Sequence, residues 1–443
     1  MYTPHRLSRM AKSSCVTNKS LPFLVAPSEA TPAGTLRLTS MDRALASLPM
    51  TALFVFEHPI DQPAETLRRA LSRALVPYYP VAGRLTAGAH GQSIACTGEG
   101  VVFVGASARC TLRDAKLSDQ RPAIPVEDLT VTYAGLYNKD PPLLLTQVTE
   151  FSCGGFVVGV TWNHVVADGV GMAQFLQAVG EFARGFSSPS VQPVRVDNFL
   201  PELPLPIITM TKSMVSSKHT DFPSSYITMP MSFVNRIKDE FRRSSGPQGD
   251  QKAAAAAAAA TCTAFDVFTA AIWRSRARAT IADAASQDAP TALAFTVNLR
   301  KQAGAKDSYY GNVFAFGLAA ATLREVADGD ILDLVRLIRD AKARVPYTFT
   351  DGAAYIGDEM GGRLQGLEVY DTLYVTSWWN LGLDDVDFGG GGPARLMGNM
   401  ERKVVPACIL CGRKDKADGA AALAFCVKQE HEEAFHAELR KLK

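Results

Sequence analysis

The chain has 443 residues, of which 47% are hydrophobic and 20% charged, enough to build two or more cores of an ordinary globular protein. Its 46 basic and 44 acidic residues are interspersed and leave a formal charge of +2. That balance argues against nucleic acid as a partner, and no run of 18 uncharged apolar residues suggests a membrane span.

The opening MYTPHRLSRMAKSS is basic and resembles an organelle-targeting leader. Met10-Ala11-Lys12 reads as well as an ordinary start behind a short extension, and a cytosolic location is expected. Leu53 to Phe56 reads as a strand. Ala64 to Leu75 reads as a helix with Leu67, Ala70, Leu71, Ala74 and Leu75 on one face. A proline-set turn, Pro77 to Leu85, leads to strand candidates at Val101–Val104, Leu143–Val148 and Phe156–Thr161. Met172, Phe175, Leu176, Val179, Phe182 and Ala183 then recur at helical spacing.

Ser187 to Pro206 is rich in Ser, Pro and Val, as an extended crossover is. A loop at 244–250 runs into Ala253–Ala260, which has helix propensity but nothing large to bury and receives no function. Helices are expected at Phe265–Arg278, Ile331–Ala343 and Glu430–Leu442, and strands at Ala292–Leu299, Val313–Leu318, Thr372–Trp378 and Leu423–Val427. The eight cysteines, several inside apolar runs, fit reduced buried thiols better than a disulfide framework. Cys408-Ile409-Leu410-Cys411 has CxxC spacing without a second pair, so it reads as a core strand and no metal site is expected.

The segment Trp162-Asn163-His164-Val165-Val166-Ala167-Asp168-Gly169 sets an imidazole and a carboxylate four residues apart at a strand–helix junction. A histidine there can enter a cleft, where its near-neutral pKa suits proton transfer. On its own the pair fits equally well a histidine that merely caps or packs.

Further blocks decide between these readings. They are Leu38-Thr39-Ser40-Met41-Asp42, the Tyr78–Leu85 block, Phe265–Arg276, Val297-Asn298-Leu299-Arg300 with Tyr309-Tyr310-Gly311-Asn312, Thr376-Ser377-Trp378, and Asp387-Phe388-Gly389-Gly390-Gly391. In this order, over nearly the whole chain, they resemble the plant BAHD family of acyl-CoA-dependent acyltransferases. The resemblance implies an α/β fold of the chloramphenicol-acetyltransferase-like type, with two similarly sized mixed-sheet domains and a channel between them. Residues 1–186 would form the first domain, 187–220 the crossover linker and 221–443 the second domain, with about 387–408 crossing back to the first.

It further implies His164 as general base, acyl-CoA as co-substrate with no bound cofactor, a small-molecule acceptor and a monomer. Asp168 would turn away from the cleft to pair with Arg300, a structural brace rather than a relay. Asp387 and Gly389 would be architectural, although Gly390 replaces the family's tryptophan. Ser40, Thr376, Ser377, Trp378 and Asn380 are candidates for lining the channel. Asn380 stands where shikimate- and quinate-using relatives carry an arginine, which disfavours an acceptor of that anionic type. The wording around His164 is similar to grass members that move benzoyl or hydroxycinnamoyl groups to alcohols or arylalkyl amines such as tryptamine. Two other readings remain at this point: a condensation-type domain, whose first histidine is replaced by Asn163, and a ligand-binding relative without turnover.

Overall fold

A computed structural model describes residues 15–442, apart from 47, 89–90, 118–121, 135–139, 197–204, 217–219, 246–260, 284–286, 351–366 and 412–418. The run Ala253–Ala260 lies outside the described residues. In chain order the first half contains β1 (Thr17–Lys19), β2 (Phe23–Val25), β3 (Thr35–Arg37), α1 (Ser40–Ala44), β4 (Pro49–Phe56), α2 (Pro63–Ala74), β5 (Arg84–Gly88), β6 (Gly91–Ala95), β7 (Val101–Ala108), α3 (Leu112–Ala115), β8 (Leu144–Phe151), β9 (Phe156–Asn163) and α4 (Gly169–Ala183). There follow α5 (Leu205–Ser216), β10 (Ser225–Met229), α6 (Met231–Ser245), α7 (Ala264–Thr280), β11 (Pro290–Asn298), β12 (Phe314–Thr322), α8 (Leu323–Asp328) and α9 (Ile331–Thr350). The chain ends with β13 (Thr372–Ser377), β14 (Arg395–Asn399), β15 (Ala407–Cys411), β16 (Ala420–Phe425) and α10 (Glu432–Arg440).

Two mixed sheets carry the architecture. The first runs β1-β7-β8-β9-β4-β14 with β2 also on β7, and the second runs β10-β16-β15-β13-β11-β12. A small third sheet joins β3, β6 and β5. β14 belongs by sequence to the second half, yet it pairs antiparallel with β4 in the first sheet, Arg395 opposite Val55 through Asn399 opposite Thr51.

Strand alternation explains the layers. In β9 every residue is buried. Phe156, Val158, Val160 and Trp162 face the large core that holds α2 and α4, and Val157 faces Leu53, Val55 and Phe151 on the other side. The second sheet is two-sided in the same way. Leu293, Phe295, Leu373, Val375, Cys408 and Leu410 bury against α7 and α9, whereas Ala294, Phe314, Phe316, Ile409 and Phe425 join the core shared with the first half. The seam between the halves is therefore an apolar layer fed by both sheets.

The structure adds elements that the sequence pattern left unassigned. Residues 205–216 and 231–245 are helical; the first helix lies inside the expected 187–220 linker, which is therefore not wholly extended, and the second lies beyond it. Cys408 and Cys411 lie buried in β15, as their apolar neighbours suggest. The expectation of reduced thiols needs one correction. The β1–β7 register sets Thr17 opposite Ala108, which brings Cys15 beside Cys110, and the two are paired as a disulfide with Cα atoms 5.3 Å apart. The other six cysteines are free, and all but Cys153 are buried.

The first turn of α4 packs directly on the loop before β12. A Cβ built on Gly171 would stand 1.8 Å from the Tyr310 carbonyl oxygen. Alanine is the better helix former, so propensity alone predicts that Gly171→Ala stabilises the fold. The contact predicts the reverse, a loss of about 1–3 kcal/mol from overpacking, measured by chemical denaturation.

Candidate active site

His164 follows the last residue of β9, and its backbone N–H still bonds the Leu48 carbonyl at 2.9 Å, extending the ladder to β4. The loop after it is held at nearly every step. The Asn163 side chain accepts from Val165 N–H at 3.1 Å, the Trp162 indole donates to the Ala167 carbonyl at 3.1 Å, and Arg195 donates to the Val165 carbonyl at 3.1 Å. A turn that must aim one side chain is thus satisfied by its surroundings rather than left to solvent.

Asp168 ends this loop as the N-cap of α4, accepting from Gly171 N–H at 3.0 Å. Its carboxylate also meets Arg300 in a two-pronged pair, both bonds 2.8 Å, and accepts from Val313 N–H at 3.1 Å. Arg300 in turn donates to the Gly311 carbonyl at 2.7 Å. The carboxylate is buried with all its acceptor capacity directed at these groups, and none of these bonds reaches His164.

The partner of the imidazole is Asn312. His164 Nδ1 lies 2.9 Å from Asn312 Oδ1, while Asn312 Nδ2 donates to Asp42 Oδ1 and to the His164 carbonyl, each at 2.8 Å. Both amide hydrogens are used on acceptors, so the amide oxygen faces the ring and Nδ1 carries the proton. Nε2 is left as the basic nitrogen. Asp42 is wholly buried and pairs with buried Arg195 at 3.1 Å, and Arg195 donates to the Tyr309 hydroxyl at 3.1 Å. Burial lowers the His164 pKa below its ordinary value, against the opposing pull of Asp168, of the Asn312 bond and of Asp42. The imidazole is therefore neutral at pH 7.

His164 opens onto a cavity of about 690 Å³, counting its part open to solvent, between the inner face of the second sheet and residues of the first half. Phe314, Phe316, Tyr374 and Phe425 supply its aromatic walls, and Leu45, Leu48 and Met50 close it from the other side. The Phe314 ring is 5.9 Å from the imidazole.

The expected site residues divide clearly. Thr376 lines this cavity with His164. Ser40 begins α1 beside Asp42, Ser377 accepts from Trp379 N–H at 3.2 Å, Trp378 is core, and Asn380 is exposed with φ +58°. None of those four lines it.

Asp387 accepts from Gly389 and Gly391 N–H, each at 2.8 Å, and pairs with Arg184 at the end of α4, far along the helix from His164. At Gly390 a Cβ would stand 3.0 Å from the His58 carbonyl and 3.3 Å from Ile60, so the place of the family's indole is narrowed by residues 58–60. Sequence reading missed Asn312, Asp42 and Arg195 as members of the site. The signal for the first two was a polar residue closing an otherwise recognisable block; Arg195 had none. Among the described residues, no cluster of three His, Cys, Asp or Glu could hold a metal.

A model of the family described as the Transferase family matches residues 16–442. Acyl transferase 15 of Oryza sativa subsp. japonica is 39% identical over 97% of this chain and 99% of its own length. Myricetin 3-O-glucosyl 1,2-rhamnoside 6'-O-caffeoyltransferase AT1 of Crocosmia x crocosmiiflora is 31% identical over 96% of this chain and 99% of its own. The crystal structure of vinorine synthase superimposes with a TM-score of 0.71 at 20% identity, covering 96% of this chain and 98% of that one.

The Asp168–Arg300 pair makes a stability prediction. Arg300→Gln should destabilise the protein by about 3–5 kcal/mol, because it leaves the buried Asp168 carboxylate without its cation. Asp168→Asn should cost less, because the Arg300 it strands is only partly buried. The double variant should be no worse than the weaker single one, giving a coupling energy in a thermal or denaturant cycle. Strictly additive losses would show that the two groups act independently.

Proposed function

The chain belongs to the plant BAHD family of acyl-CoA-dependent acyltransferases, and from that premise we propose that it moves an aromatic acyl group, hydroxycinnamoyl or benzoyl, to an alcohol or an arylalkyl amine such as tryptamine. The observation that carries this reading is the aromatic cavity lined by His164, whose Nδ1 is held by Asn312. A flat, apolar acyl group suits walls made of Phe314, Phe316, Tyr374 and Phe425. The relative from Crocosmia x crocosmiiflora, named for caffeoyl transfer, supports an aromatic donor.

The proposed chemistry needs no covalent enzyme intermediate. Neutral His164 removes the proton from the acceptor's O–H or N–H as the heteroatom attacks the thioester carbonyl. The tetrahedral adduct collapses, the C–S bond breaks, and the imidazolium returns its proton to the leaving thiolate. Asn312 keeps the proton on Nδ1 throughout and so presents Nε2 to the acceptor. Asp168 with Arg300 shapes the loop, and Asp387 with Gly389 shapes the far end of α4, none of them touching substrate. Residues 1–186 and 221–443 are taken as the two domains, joined by 187–220, a division supported by the memberships of the two sheets. No described helix is long and apolar enough to cross a membrane.

Purified protein incubated with acetyl-, malonyl-, benzoyl- and p-coumaroyl-CoA against a panel of alcohols and amines should release CoA thiol only when a suitable acceptor is present. His164→Ala should lose turnover by about 10²–10⁴-fold while still binding CoA; full activity in that variant would sink the mechanism. The pH profile of kcat/KM should be flat across neutrality and fall on the acid side with a midpoint below 6.5, since the base must be neutral and its pKa is lowered. An acid limb at or above 6.5 would contradict the buried, neutral imidazole.

A further inference from the structure

The cavity beside His164 is apolar except at a few points, and three of these lie together on one face of the second sheet. Thr296 on β11 and Thr376 on β13 bring their hydroxyls within 3.0 Å of each other. Tyr374 lies two residues before Thr376 and on the same face. All three line the cavity.

Their hydrogen-bonding capacity is unspent. One threonine hydroxyl donates to the other, so the pair retains one O–H and free lone pairs. The Tyr374 hydroxyl has no hydrogen-bond partner among the described residues, although its ring packs edge-on against Phe316 at 6.2 Å. Burial raises its pKa, so it stays a protonated donor at neutral pH. Polar groups that line an apolar cavity without protein partners are available to a ligand that supplies the matching donor or acceptor.

Their depth follows from the strand register. Phe314, next to the imidazole, is opposite Asn298, and Phe316, two residues further along β12, is opposite Thr296. Thr376 adjoins Thr296, while Tyr374 pairs with Ala294, which is opposite Leu318. The threonine pair is therefore one row beyond Phe314 and Tyr374 one row further, each row about 7 Å of strand. An acyl carbonyl held at His164 would need a spacer to bring its ring oxygen to these hydroxyls. The two-carbon propenoyl link of a hydroxycinnamoyl group supplies that spacer, and a benzoyl group has none.

We propose that Thr296, Thr376 and Tyr374 form a specificity subsite that recognises the ring hydroxyl of a hydroxycinnamoyl donor, Tyr374 donating to that oxygen and the threonine pair accepting from it. This rests on the aromatic-donor reading above and narrows it from benzoyl or hydroxycinnamoyl to an oxygenated hydroxycinnamoyl ring. Thr296, Thr376 and Tyr374 would then set selectivity without taking part in proton transfer.

Binding of p-coumaroyl-CoA, cinnamoyl-CoA and free CoA, measured by calorimetry on the full chain, separates the two claims without knowledge of the acceptor. The wild type should bind p-coumaroyl-CoA about tenfold more tightly than cinnamoyl-CoA, which lacks only the hydroxyl. Tyr374→Phe removes a hydroxyl that no described residue uses, so it should fold normally and bring the two affinities to within about threefold. Thr376→Val should erode the same ratio. Equal affinities in the wild type, or an unchanged ratio in Tyr374→Phe, would overturn the subsite while leaving an aromatic donor intact. If neither thioester binds better than free CoA, the cavity does not take the acyl group and the aromatic-donor reading itself fails.

Discussion

The carboxylate of Asp168 is the constraint on which the site depends. It accepts from the first turn of α4, from the start of the segment entering β12, and twice from Arg300. Those donors come from both halves of the chain, so one buried charge fixes how the His164 loop meets the second sheet. Its separation from the imidazole matters as much as its presence. A carboxylate committed to four donors has little left to offer a fifth, and the ring finds its partner elsewhere, in a neutral amide. Breaking this pair would therefore disturb geometry first and chemistry only through geometry.

The second element of the design is the two-sidedness of the second sheet. One face is ordinary core against helices, with Leu373, Val375, Cys408 and Leu410 buried. The other presents Phe314, Phe316, Ile409 and Phe425 to the first half, and there the apolar layer stops short of closing. The cavity is what remains where the two halves do not quite fill their shared seam. β14 helps to set that gap, because it leaves the second half to pair with β4 while the next strand, β15, returns to the second sheet. The residues between them, Met400 to Val405, include part of the cavity wall.

Much of this was legible in the sequence, for identifiable reasons. β9 and β15 announced themselves as continuous apolar runs, α2 as a helical stripe, and His164 as a histidine at a strand–helix junction inside ordered family blocks. What was not legible depended on long-range pairing. Asn312 lies 148 residues from His164, and Asp42 lies 270 residues from Asn312, distances over which no periodicity speaks. The 231–245 helix was legible after all, since Phe233, Val234, Ile237 and Phe241 recur at helical spacing, and Pro206 in the first turn of the 205–216 helix is compatible with a helix start. Cys15 and Cys110 became neighbours only through the β1–β7 register, which three short-strand pairs decide.

Why an amide rather than a carboxylate should stand behind the imidazole follows from the charge balance. A carboxylate bonded to Nδ1 would stabilise the imidazolium and raise the pKa, placing more of the histidine in the protonated form before the acceptor arrives. Asn312 provides the same orientation and the same tautomer without a full charge against the ring. The nearest carboxylate in that direction, Asp42, is one residue removed and already paired with Arg195. Burial is thus the largest influence on His164, and it drives the pKa downward. In the proposed reaction a weaker base suffices, because a thioester is an activated acyl donor and the nucleophile needs its proton removed only as attack proceeds. In that proposed role the histidine would give up base strength for a ring that is neutral at pH 7, with Nδ1 tied to Asn312 and Nε2 left without a hydrogen-bond partner among the described residues.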